Sequence, residues 1–375
     1  MNTTKKDILA AKLQEVCQRF CIPNTYESFE EIKVGNVNKT YKVNFIHEDP
    51  KNPGQMKPKS YMVQSINTVA FKKPAEVMEN IDKVTEYIHA LDPKRRCLHF
   101  HHTEDRKNYF YDGKKFWRLF NYIPSSTYSS TDNLTVIRNA GAAFGEFQTL
   151  LSAFDAGDLH ETIPDFHNTK KRYEQLADAV AADPVGRVAE VAEEIKWLES
   201  VKTEACKLTQ MQEDKLLPLR VTHNDTKINN VLFDSQTDDA LVVIDLDTVM
   251  PGLVGHDFGD AIRFAANVVE EDWPHAEDAG VNMDIFRAFT QGFLSKTAEA
   301  LTAAEIDTLA LSCFVLACEL ATRFLADYIM GDVYFKVNYP DHNLVRTRCQ
   351  IALAKDMLKK MPKMEQIVKE CMAVL

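Results

Sequence analysis

The sequence predicts an α+β protein in two lobes: a small N-terminal lobe built on an antiparallel sheet, and a larger, mainly helical C-terminal lobe. Residues 26–45 and 108–122 alternate apolar and polar residues around turn signals, which is the pattern of antiparallel strands. After residue 133 the apolar residues recur at helical spacing instead. A run of Ser and Thr follows Pro124, so we expect lobes of residues 1–122 and 123–375.

The composition is that of an ordinary globular protein and excludes two kinds of partner. Apolar residues make up 45% and charged residues 26% of the 375, enough for a sizeable core. The formal net charge of −11 argues against binding to nucleic acid or to an anionic membrane, because both need a basic surface. Residues 1–20 predict an amphipathic helix and lack the long apolar core of a signal peptide.

Two further features predict a cytoplasmic protein. The eight cysteines are scattered and include no Cys-x-x-Cys pair, so we expect reduced, buried thiols. The most apolar helix, at residues 309–329, carries Glu319, Arg323 and Asp327. We therefore interpret it as a core helix and not as a membrane span.

In the N-terminal lobe, periodicity and turn signals locate the elements. Residues 26–45 predict two strands joined by a tight loop, residues 60–66 a third strand, and residues 74–91 a helix. The pair Asp112-Gly113 predicts a hairpin turn within residues 108–122.

The loop between the first two strands contains Gly35, Asn36, Lys39 and Thr40. Taken alone it is an ordinary hairpin, because one glycine is a weak signal. The alternative is a loop that covers nucleotide phosphates with its backbone N–H groups and Lys39. The motif that follows favours this alternative.

Residues 221–234, VTHNDTKINNVLFD, contain His223, Asp225 and Asn230 at the spacing His-x-Asp-x-x-x-x-Asn, and a predicted strand at residues 241–244 ends in Asp245 and Asp247. In protein kinases this spacing places the catalytic Asp and a metal-binding Asn on one loop. Alternatively, each Asp merely caps a turn. The combination favours phosphoryl transfer, in which Asp225 accepts a hydroxyl proton while Asn230 and Asp245 hold Mg²⁺.

This stretch, with VVIDLDTVMPG and HDFGDAIRF, resembles the aminoglycoside phosphotransferase and choline kinase family, and within it the N-acetylhexosamine 1-kinases. GNVNKTYKV, FGEFQTLLSAFDA, HETIPDFHNT and RFLADYIMGDVYF agree with the narrower family, so the similarity covers nearly the whole chain. It implies a protein-kinase-like fold with ATP and Mg²⁺ as cofactors. It also implies that the acceptor is the anomeric hydroxyl of N-acetylglucosamine or N-acetylgalactosamine.

The resemblance implies further site residues. The strand that joins the lobes, with Phe120 and Tyr122, is expected to bind adenine through its backbone. Arg323 and Tyr334 are expected to contact the sugar or the transferred phosphoryl group. Arg323 has a structural alternative, because Glu319, Arg323 and Asp327 follow at i+4 steps and predict a ladder of ion pairs.

The motif HDFGD is similar to the metal-binding Asp-Phe-Gly of protein kinases. By the resemblance the metal carboxylate is Asp245, and Asp257 is expected to hold the catalytic loop in place. We predict helices at residues 261–268 and 283–294, after this motif.

Gln64 departs from the protein-kinase pattern, in which the third strand carries a lysine that contacts the phosphates. Either Gln64 donates a hydrogen bond to a phosphate or ribose oxygen while Lys39 or Mg²⁺ supplies charge, or the protein is a non-catalytic pseudokinase. The presence of Asp225, Asn230 and Asp245 together favours the first interpretation. Choline, homoserine or an aminoglycoside remain alternative acceptors, since the acidic loop at residues 270–278 would suit a cation.

Overall fold

The structure is a computed structural model that describes residues 4–22, 25–33, 37–49, 51–93 and 97–375. The chain forms two compact units. The N-terminal unit comprises Met1–Ser125 with Leu159–Ile163, and the C-terminal unit comprises Ser126–Asp158 with Pro164–Leu375. The short segment 159–163 joins the first unit through Asn80, whose side chain hydrogen-bonds the backbone N and O of His160, each at 2.8 Å.

The N-terminal unit is an antiparallel sheet of five strands accompanied by helices. Its elements are α1 (Lys5–Arg19), β1 (Thr25–Ile32), β2 (Lys39–Glu48), β3 (Met56–Ile66), α2 (Pro74–Leu91), β4 (Phe110–Tyr111) and β5 (Phe116–Asn121). The strand order is β1-β2-β3-β5-β4, which places β3 in the centre. The predicted strands and helices are confirmed, and Gly113 lies in the turn between β4 and β5 at a φ of +89°, which favours glycine.

One face of this sheet packs against α1. The buried residues of this core are Leu13, Val16 and Cys17 of α1 with Tyr41, Val43, Phe45, Tyr61, Val63, Trp117 and Leu119 of β2, β3 and β5. Side chains alternate between the faces of a strand. The intervening positions Thr40, Gln64 and Arg118 therefore lie on the opposite face, in register on three adjacent strands.

The C-terminal unit is mainly helical and holds two short antiparallel strand pairs in its described part. Its elements are α3 (Leu134–Leu150), α4 (Thr169–Ala182), α5 (Ala192–Ala205), α6 (Lys207–Glu213), β6 (Arg220–Thr222), β7 (Val231–Phe233), β8 (Ala240–Val243), β9 (Met250–Gly252), α7 (Val254–Ala265), α8 (Met283–Thr297), α9 (Ala303–Ile329) and α10 (His342–Ala373). β6 pairs with β9, and β7 pairs with β8.

Helices α3 and α8 cross at backbone contact distance because glycines line the crossing. A Cβ atom on Gly141 would overlap the backbone O of Phe289, and one on Gly292 would overlap the backbone O of Arg138. The two helices therefore approach more closely than side chains would allow. Packing against α8 therefore holds α3 in place, and α3 carries the buried Phe144, whose ring contacts His223 of the predicted catalytic loop.

Helix α9 is the central helix of this unit. Among the residues described it is the one helix long and apolar enough to pass for a membrane span, yet 89% of its most apolar stretch is buried inside the protein. This confirms the predicted core helix. Burial also extends to six of the eight cysteines, and the described residues form no disulfide.

The prediction of a helix that begins at Ala261 was wrong. α7 begins at Val254, so HDFGD lies in the first turns of a helix and not in a preceding loop. Gly259 lowers helix propensity, which explains the error. Its role is packing, because a Cβ atom at this position would overlap the backbone O of Ser312 on α9.

Candidate active site

The loop that carries Asp225 is held from behind by one buried carboxylate. Asp257 accepts hydrogen bonds from the backbone N of His223 at 2.9 Å, from the backbone N of Asn224 at 2.7 Å and from Nε2 of Gln148 at 2.6 Å. Burial raises the pKa of Asp257, against the lowering effect of His223 and of these hydrogen bonds. The predicted role of Asp257 in holding this loop is confirmed by these contacts.

Asn224 gives the loop its sharp turn. Its φ of +63° lies in the left-handed region, which Asn tolerates better than most residues. Its Nδ2 donates to the backbone O of Thr248 at 2.9 Å, and this contact ties the turn to the segment before β9. The chain therefore reverses direction one residue before Asp225.

Asp225 and Asn230 lie together. Nδ2 of Asn230 donates to the backbone O of Asp225 at 2.8 Å and to its Oδ2 at 3.2 Å. The other carboxylate oxygen of Asp225 is 2.9 Å from Nζ of Lys227, and 28% of the Asp225 side chain is exposed. Burial lowers the pKa of Lys227, but the charges of Asp225 and Asp260 outweigh it and raise this pKa overall. A protonated ammonium thus accompanies the candidate base.

Asp245 is placed near this pair by the β7–β8 hairpin. The backbone N of Ile244 donates to the backbone O of Asn230 at 2.8 Å, so the end of β8 lies beside Asn230. Asp245 then turns outward with a φ of +60° and is exposed, whereas Asp247 is buried. The hairpin therefore brings three of the predicted site residues, Asp225, Asn230 and Asp245, to one place.

His223 hydrogen-bonds both the end of β8 and the loop that carries Asp225. Its Nε2 donates to the backbone O of Ile244 at 2.8 Å, and its Nδ1 accepts from the backbone N of Asp225 at 3.2 Å. These roles place the ring proton on Nε2. The ring packs edge-on against Phe144 and Phe147, whose predicted core positions are confirmed.

Arg323 and Tyr334 both contact Phe335. The guanidinium carbon of Arg323 is 5.7 Å from the ring centroid of Phe166 and 5.4 Å from that of Phe335. The exposed ring of Tyr334 is 4.8 Å from the Phe335 ring. The charge of Arg323 thus lies over two aromatic rings.

The ion-pair ladder on α9, the structural alternative for Arg323, is present only at its first step in the part of the chain that the structure describes. Arg323 is 4.0 Å from Glu319, but among the described residues Asp327 forms no ion pair with Arg323. The Asp327 carboxylate instead accepts from the backbone N of three residues after the helix, at 2.8–3.0 Å: Val333, Tyr334 and Phe335. Because Asp327 lies in the last turn, the free backbone donors beyond the helix end outcompete Arg323.

In the N-terminal unit, Gln64 hydrogen-bonds both Thr40, another predicted nucleotide-binding residue, and the buried Arg118. Its Nε2 donates to Oγ1 of Thr40 at 2.9 Å, and its Oε1 accepts from Nε of Arg118 at 2.8 Å. Arg118 is 2% exposed. Lys39 is exposed at the start of β2.

Of the four remaining predicted nucleotide-binding residues, the structure describes Phe120 and Tyr122. Gly35 and Asn36 lie outside the described residues. Phe120 pairs with Met62 of β3 and forms a bridge with Phe100. The backbone N of Tyr122 donates to the backbone O of Ser60 at 3.2 Å, so this predicted adenine donor is engaged within the sheet.

Sequence reasoning missed three basic side chains: Lys227, Arg118 and His167. Lys227 follows Asp225 within the quoted motif, and a lysine beside a candidate base was a usable signal. Arg118 and His167 gave no comparable signal, because their partners Gln64 and Glu319 are distant in the chain.

A sequence model of the phosphotransferase enzyme family matches residues 53–300. Solved structures of similar fold include an aminoglycoside phosphotransferase from Alicyclobacillus acidocaldarius, at 12% identity and a TM-score of 0.60, with 95% of this chain and 96% of that chain covered. A spectinomycin phosphotransferase in complex with ADP and spectinomycin is 13% identical, with a TM-score of 0.56 and coverage of 96% and 99%. A choline kinase from Cryptosporidium parvum is also 13% identical, with a TM-score of 0.54 and 95% coverage of both chains. The predicted protein-kinase-like fold is confirmed.

Proposed function

This chain belongs to the phosphotransferase enzyme family, and we propose that it is a cytoplasmic kinase that phosphorylates the anomeric hydroxyl of N-acetylglucosamine or N-acetylgalactosamine with ATP and Mg²⁺. The observation that carries the proposal is the convergence of Asp225, Asn230 and Asp245 on one loop and hairpin. In phosphoryl transfer these residue types serve as base and metal ligands.

Asp225 is the base of the proposed reaction. Its carboxylate is partly exposed and is oriented by Asn230 and Lys227, so it can accept the proton of an acceptor hydroxyl. The hydroxyl oxygen then attacks the terminal phosphorus of ATP, the bond to ADP breaks, and the products are a sugar 1-phosphate and ADP. Lys227 keeps a positive charge beside the reacting groups.

The donor set fits Mg²⁺, which prefers oxygen ligands. Asn230 directs its Nδ2 at Asp225 and so offers its amide oxygen, while Asp245 offers an exposed carboxylate. When bound, the ion neutralises charge on the phosphates. Lys39, Thr40 and Gln64, with Gly35 and Asn36, are the proposed phosphate-side residues. The strand at Phe120 and Tyr122 is the proposed adenine side, through groups other than the backbone N–H of Tyr122, which donates to Ser60.

The surroundings of Arg323 support a neutral acceptor over a cationic one. Choline and similar cations bind to the faces of aromatic rings. Here the guanidinium of Arg323 already lies over Phe166 and Phe335, and a second cation would meet its charge. Arg323 and Tyr334 are the proposed sugar-side residues, since guanidinium and phenol groups donate hydrogen bonds to hydroxyl, carbonyl and phosphoryl oxygens.

An acceptor panel with ADP detection tests the proposal. The purified protein with ATP and Mg²⁺ is given N-acetylglucosamine, N-acetylgalactosamine, choline, homoserine or an aminoglycoside, and phosphorus NMR identifies the product. We expect ADP release and an anomeric phosphate with the two sugars. Turnover of choline or an aminoglycoside alone would overturn the substrate assignment, and ATP binding without turnover of any acceptor would favour a nucleotide-binding module.

A further inference from the structure

The ring of His167, which lies just before α4, is held between two hydrogen-bond acceptors. Its Nδ1 is 3.0 Å from Oε1 of Glu319, and its Nε2 is 3.3 Å from the backbone O of Asn224. A neutral imidazole has one N–H and can donate to only one of them. Both contacts are hydrogen bonds only when the ring is an imidazolium.

The charged groups that face this ring favour the imidazolium. α9 presents Glu319 and Arg323, and α7 presents His256 and Asp260. Burial lowers the pKa of His167, but the charge and hydrogen bond of Glu319, with Asp260, raise it overall despite Arg323. His256 packs against His167 at a centroid distance of 4.9 Å, and burial and His167 lower its pKa to about 3. The two acceptors on His167 and the lowered pKa of His256 favour a single positive charge in this histidine pair, on His167.

The contact with Asn224 acts on the peptide that leads into Asp225. The carbonyl of this peptide accepts from His167, and its N–H, which belongs to Asp225, donates to Nδ1 of His223. Two histidine rings thus hold one peptide plane. Asn224 has a left-handed φ of +63°, a conformation that persists when its surroundings enforce it.

We propose that His167, as an imidazolium anchored by Glu319, is a positioning residue that fixes the peptide between Asn224 and Asp225 and so aims the Asp225 carboxylate at the acceptor hydroxyl. The inference rests on the proposed function of Asp225. By this proposal His167, which lies outside the motif at residues 221–234, affects the reaction through its buried positive charge.

The kinetic test is His167→Gln, which is neutral and carries both of its N–H donors on one nitrogen, so it does not reproduce the two separate ring donors that face Glu319 and Asn224. We expect kcat to fall about 10²-fold, as for a small misplacement of a catalytic group, while KM for ATP changes little. His275→Gln, an exposed histidine in the acidic loop, is the matched control and should keep the wild-type kcat. An unchanged kcat in a folded His167→Gln protein, with folding checked by circular dichroism, would overturn the proposal.

The charge is tested separately, without turnover. Nitrogen NMR should show His167 doubly protonated at neutral pH in the wild type and neutral in Glu319→Gln. The pKa of His167 is raised in the folded protein, so the stabilising effect of its charge is fully present below the unfolded-state pKa and is lost as the pH rises through the folded-state pKa. Glu319→Gln should lower the folded-state pKa of His167. The alkaline limb of the kcat profile should therefore move to lower pH in this variant. A neutral His167 in the wild type would overturn the proposal. A wild type that phosphorylates no acceptor would instead refute the proposed function, and the NMR result would still decide the charge.

Discussion

Arg118 donates from Nε to Oε1 of Gln64 at 2.8 Å, and this hydrogen bond fixes which end of the Gln64 amide faces Thr40. Gln64, the residue that we predict at the position of the protein-kinase strand lysine, is a neutral amide, and a buried guanidinium lies one strand away. The N-terminal unit thus has a cation, Arg118, beside the predicted position of the strand lysine.

Gln64→Ala should lower the free energy of unfolding by about 1.5–3 kcal/mol, because it removes the acceptor of a hydrogen bond from a buried charged group. Urea denaturation measures this loss. Gln64→Glu is the control, since it keeps an acceptor for Nε of Arg118 and should stay near the wild type. An equal loss in both variants would show that the Arg118 contact is not what stabilises this part of the sheet.

Asp225→Asn should reduce kcat by about 10²- to 10⁴-fold, because an amide cannot accept the hydroxyl proton. ATP binding, measured by calorimetry, should survive. Asp239→Asn, an exposed change in the turn between β7 and β8, serves as the control with normal turnover. Full activity of Asp225→Asn would remove this residue from the role of base.

Asp245→Asn should weaken Mg²⁺-dependent ATP binding about tenfold or more, which corresponds to about 1.4 kcal/mol for each factor of ten. Asn tolerates the left-handed backbone at this position, so the change removes charge and keeps the turn. Calorimetry with Mg²⁺ and with EDTA separates the two effects. The same loss of affinity in EDTA would mean that Asp245 maintains the local backbone conformation and does not bind a metal ion.

Arg323→Met should lower kcat/KM for the N-acetylhexosamine about tenfold or more, since it removes a donor group whose loss costs about 1–3 kcal/mol. It also frees the faces of Phe166 and Phe335, so inhibition by choline should increase. Arg348→Met, which breaks a surface ion pair with Glu194, is the control. Choline inhibition that is the same in all three proteins would refute the proposed exclusion of cations.

Gly292→Ala should destabilise the protein by about 1–3 kcal/mol, because the new methyl group would overlap the backbone of α3. Thermal unfolding measures the change. Gly157→Ala is the control, since the nearest atoms to its Cβ belong to the side chain of Asp155 and can move. Equal unfolding temperatures in the two variants would show that α3 and α8 separate at little cost.

The N-terminal sheet could be predicted from the sequence because its information is local: alternation within strands, and Asp112-Gly113 at a turn whose glycine has a positive φ. The convergence of Asp225, Asn230 and Asp245 also followed from local spacing and one hairpin. The start of α7 was missed because the reason for Gly259 lies on α9, at Ser312.

The missed contacts depend on the tertiary structure. His167 needs Glu319, and Arg118 needs Gln64, and nothing near either residue in the chain indicates its partner. Spacing on α9 placed Asp327 one turn from Arg323, but it could not show that backbone groups after the helix would take the carboxylate.

Asp257 lies on a core helix and not on the loop that it holds, so the shape of residues 223–226 is established during folding. The conformational entropy of these residues is lost before any ligand arrives. The loop is therefore preorganised, and a substrate that binds there does not have to spend binding energy on ordering it.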